Sequence, residues 1–94
     1  MRLWTKLIKN DKIIKDNVFE LPANYDINRL ELYLSEICGA MDIEKPILLK
    51  KHYEHLYYFH STTFFKDDFI DDCNFDKMIC ELIADKQKKN MLFT

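Results

Sequence analysis

The sequence predicts an α+β fold: an antiparallel sheet of three or four strands led by a β-hairpin, with one or two helices packed on one face. Three observations carry this. Two runs rich in β-branched and aromatic residues flank the pair Asn10-Asp11 near the start of the chain. An apolar stripe at helical spacing runs from Ile27 to Met41. An alternating run follows Phe75, and a lone hairpin needs further strands to be stable in water. With 94 residues the chain suits one domain, and one glycine and two prolines leave little of it for loops.

The first strand is "RLWTKLIK", which carries Trp4, Thr5 and Ile8 in loose alternation. "KIIKDNVFEL" is the second, with Ile14 and Val18 on one face and Ile13, Phe19 and Leu21 on the other. Asn and Asp both tolerate positive φ, so Asn10-Asp11 suits a tight hairpin turn. Pro22 ends the second strand. Asp26 is then a good N-cap for "INRLELYLSEICGAM", where Ile27, Leu30, Leu34, Ile37 and Met41 share a stripe. The helix is expected to fray or stop around Gly39. After Pro46, "KPILLKK" is either a strand or the lead-in to a second helix, "HYEHLYYFH". "STTFFKDDFIDDCN" reads as a structured loop with an acidic rim. In "FDKMICELIAD" a strand would set Met78, Cys80 and Leu82 against Ile79, Glu81 and Ile83; a helical stripe through Phe75, Ile79, Leu82 and Ile83 is the alternative. The strand is preferred because the hairpin needs more sheet. Residues 85–94 read as a flexible basic tail ending in "MLFT".

Composition excludes several classes of function. Hydrophobic content of 48% excludes intrinsic disorder, and a net charge of −2 gives no general attraction to phosphate or acidic membranes. No apolar run approaches the ~18–20 residues that span a bilayer. Lys6 and Lys9 interrupt what could start as a signal peptide. Three cysteines without framework spacing suit a reducing cytoplasm, so a cytoplasmic location is expected. No serine or cysteine has a base at a recognisable spacing, and there is no phosphate loop, so no catalytic residue and no cofactor is expected.

The densest chemistry lies in "KKHYEHLYYFHSTTFFKDDFIDD", Lys50–Asp72. His52 and His55 are close enough in sequence to share a helical face and are the weak candidates for a metal site. At ~100° per residue, however, His60 falls about 140° from His55, so one helix cannot converge all three. "DCNFD" has the opening rhythm of a calcium loop, but Lys77 and Ile83 stand where the glycine and the bidentate glutamate are required. Asp76 is instead expected to cap or precede the last element.

Eight of the thirteen aromatic residues fall between Tyr53 and Phe75, but Asp67, Asp68, Asp71 and Asp72 would repel a nucleic-acid strand from that edge. Tyr53, Leu56, Phe59, Phe64, Phe65 and Phe69 are therefore expected in the core. A continuous run cannot all be inside, so Tyr57 and Tyr58, with Lys50 and Lys51, are the expected partner-binding residues.

The layout "MRLWTKLIKNDKIIKD", "LELYLSEICGAMDIEKPILLKKH" and "TTFFKDDFIDDCNFDKMICELI" resembles a family of short, uncharacterised proteins from Firmicutes, clostridia and their relatives. The resemblance covers nearly the whole chain and implies a small cytosolic α+β protein with no assigned chemistry. The expected role is a non-enzymatic protein-interaction module that binds a protein partner or itself, as a homodimer, through the 52–66 segment and any exposed edge strand. The alternatives are a divalent-metal-binding protein using the histidine cluster and a small nucleic-acid-associated protein.

Overall fold

The computed structural model describes residues 1–84; the expected basic tail lies outside the described residues. Strands β1 (Arg2–Lys9) and β2 (Lys12–Glu20) form the expected hairpin. Asn10 and Asp11 take φ of 53° and 64°, the left-handed pair that matches a tight turn to the twist of its strands. Asp76 secures this turn from the far end of the chain. Its carboxylate accepts the Asn10 N–H at 2.9 Å, and its own N–H donates to the Ile8 carbonyl at 2.7 Å.

Asp26 caps a single 3-10 turn, Ile27–Arg29, by accepting the Asn28 N–H at 3.0 Å. The chain continues into α1 (Leu30–Met41), which buries Leu30, Leu34, Ile37, Cys38 and Met41 along one stripe. Gly39 does not end the helix. It runs on to Met41, and Asp42 closes it in the left-handed conformation at φ 56°. Residues 43–49 form no helix or strand and lead into the second helix, α2 (Lys50–Phe59).

The chain then reverses within one residue. His60, at φ 62°, passes α2 directly into β3 (Ser61–Phe65). Here the structure corrects the expected loop: its first five residues are a strand, and a short 3-10 turn, Lys66–Asp68, follows. The last element, β4 (Lys77–Ile83), is the preferred strand, with Met78 and Cys80 buried on the expected face. All pairings are antiparallel and the order is β2-β1-β4-β3, so the fold is α+β with a four-stranded sheet led by a hairpin.

Both helices share one core with one sheet face. Leu3, Leu7, Phe64, Met78 and Cys80 from the strands pack with Leu30, Leu34, Ile37 and Leu56 from the helices. The other face carries Trp4, whose indole N–H donates to Asp16 at 2.9 Å. Lys6 lies over that ring at 4.1 Å and pairs with Glu81 at 3.0 Å. No helix among the described residues is long and apolar enough to cross a membrane.

Candidate functional site

Helix α2 has two unlike sides. Its inward side is fixed by His52 and Leu56, one turn apart and both fully buried. His52 lies against Phe64 of β3, with ring centroids 4.2 Å apart. Its Nδ1 accepts the Leu49 N–H at 2.9 Å, and the Leu49 carbonyl accepts the His52 N–H at the same distance. This reciprocal pair satisfies backbone groups that a helix start otherwise leaves open. With Nδ1 an acceptor, the neutral ring carries its proton on Nε2, which faces the Asp68 carboxylate at 3.6 Å, beyond hydrogen-bond reach. Burial lowers the His52 pKa below the ordinary value, and the nearby Asp68 carboxylate opposes that shift.

His55 and His60 do not join His52. His55 is half-buried with its ring 6.0 Å from that of Phe59, and exposed His60 forms the link to β3. Among the described residues, no group of three or more His, Cys, Asp or Glu side chains is arranged to hold a metal ion. His52, the third residue of α2, closes the helix start from its side chain and packs as a core ring.

The outward side of α2 carries the expected partner-binding residues. Tyr57 and Tyr58 are 68% and 67% exposed and pack edge-to-face with centroids 4.9 Å apart. Lys50 and Lys51 are exposed in the first turn. Seven residues on a helix return to within about 20°, so Lys50 aligns with Tyr57 and Lys51 with Tyr58, about 10 Å apart along the axis. The four side chains thus share one outward surface.

Two further aromatics belong to this surroundings, against expectation. Phe59 is 71% exposed and Phe65 is 55% exposed; neither supplies core. Phe59 sits in the last turn of α2, beside Ser61 and Thr63 of β3, where no element among the described residues covers it. Phe65 follows Phe64 on a strand, so one must face in and the other out. That alternation was the available signal once 61–65 is recognised as a strand. Tyr53 is half-buried, while Leu56, Phe64 and Phe69 lie in the core as expected.

Burial holds two of the three thiols, Cys38 and Cys80, in their protonated form. Burial pushes the Cys38 thiol up to about 11, against the opposing charge of Lys45. Burial pushes Cys80 up to about 12, despite its contact with the Thr5 hydroxyl at 3.7 Å. The depression at the start of α1, about 450 Å³, is lined by Phe19, Asp26, Arg29 and Tyr33 among others and contains no serine, cysteine, histidine or lysine.

Comparison of the chain with protein-family models, curated proteins and solved structures returns no match.

Proposed function

We propose that this protein is a non-enzymatic interaction module that binds a protein partner, or a second copy of itself, through the outward side of α2. One observation carries the reading: Tyr57 and Tyr58 are consecutive, each about two-thirds exposed, on a helix whose opposite side is locked into the core. Tyrosine supplies large contact area at low cost in side-chain entropy, and a few such anchors carry most of the energy of an interface. Lys50 and Lys51 form a polar rim, which tunes the rate and orientation of encounter more than its strength. A location in the cytoplasm belongs to the same proposal and is supported by the three free cysteines.

The test is site-specific photo-crosslinking in the source cells. A photoreactive side chain at Tyr58 should give discrete protein adducts, whereas one at Ser35, exposed on α1, should give none. Adducts to nucleic acid, or none at Tyr58, would reject the reading.

A further inference from the structure

We propose that the free edge of β3, with the groove beside it, accepts an extended peptide of alternating apolar and acidic residues as a fifth strand. This rests on the reading of the chain as a protein-binding module; its surface adjoins the tyrosine face and shares Lys51 with it, but includes neither tyrosine.

The ladder fixes which backbone groups are open. Leu82 N–H donates to the His60 carbonyl at 2.8 Å, and the register runs on through Ser61↔Glu81, Thr62↔Cys80 and Thr63↔Ile79. Hydrogen-bonded and non-hydrogen-bonded pairs alternate along an antiparallel ladder. Thr62 and Phe64 therefore bond to β4, while the N–H and C=O groups of Ser61, Thr63 and Phe65 point away from it. The Phe65 N–H is already taken by the Asp68 carboxylate at 2.9 Å. Among the described residues, Ser61 and Thr63 remain as the open rungs.

Edge strands are usually blunted by charge, proline or a bulge. The other edge, β2, has Lys12, Lys15 and Asp16 and a register shift opposite Leu7/Ile8. Ser61–Phe65 has no charged residue, no proline and an unbroken register. Among the described residues it is the edge without charge, proline or bulge.

A groove of about 420 Å³ runs beside this strand. One wall is Lys51, His55 and Phe59, at four-residue spacing on α2; the other is Ser61, Thr63 and Phe65. Thr62 also lines it, and its buried hydroxyl has no hydrogen-bond partner among the described residues. The exposed ring of Phe65 suits the apolar side chains on one face of an added strand, and the α2 wall receives the alternate ones. The lining contains Lys51 and no carboxylate, which selects acidic residues between them. The basic residues of the chain's own tail, Lys86, Lys88 and Lys89, have the wrong sign for this lining, and a second copy of Ser61–Phe65 brings no carboxylate. Five strand residues span about 17 Å, the length of a short linear segment.

The experiment is a titration of isotope-labelled protein with a blocked octapeptide of alternating valine and glutamate, followed by amide NMR and hydrogen exchange. The expected result is resonance shifts and slowed exchange centred on Ser61 and Thr63, with the lysine version of the peptide binding about tenfold more weakly or worse. Thr63→Pro removes an outward N–H without touching the β4 ladder, and it should abolish binding while the remaining amide spectrum stays native. Lys51→Glu should invert the preference between the two peptides, which keeps the test valid if the proline variant misfolds. Tyr57→Ser/Tyr58→Ser should leave peptide binding unchanged. Shifts confined to Tyr57 and Tyr58, equal binding of both peptides, or no binding would overturn the inference. So would protection of β3 that depends on protein concentration alone. Loss of peptide binding at β3 leaves the tyrosine face untouched, and the crosslinking tests that face separately.

Discussion

The imidazole of His52 rests on the ring of Phe64 at 4.2 Å between centroids, and both side chains are fully buried. The contact joins the first turn of α2 to β3 across the single-residue link at His60. It holds one side of a ten-residue helix that would be marginal alone, and so presents the other side as a fixed surface.

Acidification should weaken the fold through His52. Its pKa is lowered in the folded protein by burial, although Asp68 opposes the shift. Protonating Nδ1 would also remove the acceptor for the Leu49 N–H. The stability tied to the neutral ring is therefore fully present above the unfolded pKa, about 6.5, and is lost as pH falls towards the lower folded value. Urea midpoints should drop between about pH 7.5 and about pH 5. The drop should be smaller in His52→Phe, which keeps a ring and cannot titrate; equal slopes would refute the assignment.

Leu34 is fully buried at the centre of the α1 stripe. Leu34→Ala should cost roughly 2–5 kcal/mol, a large part of a small domain's stability. Leu32, on the same helix but 63% exposed, is the control. Leu32→Ala should stay within about 0.5 kcal/mol, measured by urea denaturation.

His60 should prove replaceable. A left-handed conformation costs an ordinary residue roughly 1–2 kcal/mol, partly offset by glycine's greater freedom when unfolded. His60→Gly should therefore leave the melting temperature unchanged or raise it. A clear fall would mean that the imidazole makes contacts important for folding.

Metal should not contribute to stability, because the buried His52 ring is committed to the helix cap and to Phe64. Tag-free, dialysed protein should contain no stoichiometric zinc or nickel, and a chelator should not shift its melting temperature. Stoichiometric metal that disappears in His52→Ala/His55→Ala would reverse this.

The hairpin, α1 and β4 were legible because each has a local signal: positive-φ residues at Asn10-Asp11, the Leu30–Leu34–Ile37 stripe, and alternation through Met78, Cys80 and Leu82. β3 was not, for a physical reason. Helix and strand meet at His60, a left-handed residue that is neither glycine nor asparagine, so no punctuation separates "HYEHLYYFH" from "STTFF". Missing that reversal hid the alternation of Phe64 and Phe65, and with it the exposed ring of Phe65. The exposure of Tyr57 and Tyr58 was legible, since a helix only partly covered by a sheet must turn some of an aromatic run outward.

Salt dependence of association tests the central claim most directly. Sedimentation of the protein alone, and with any crosslinked partner, would be compared at low salt and at ~0.5 M, where the Debye length is only a few ångströms. Binding to single-stranded DNA would be followed in parallel by fluorescence anisotropy. Association through the α2 aromatics should persist at the higher salt, fail in Tyr57→Ser/Tyr58→Ser and survive Lys50→Glu/Lys51→Glu. Micromolar binding to the DNA, lost at the higher salt and in the lysine variant, would contradict it, because steep salt sensitivity marks the release of counterions from phosphate.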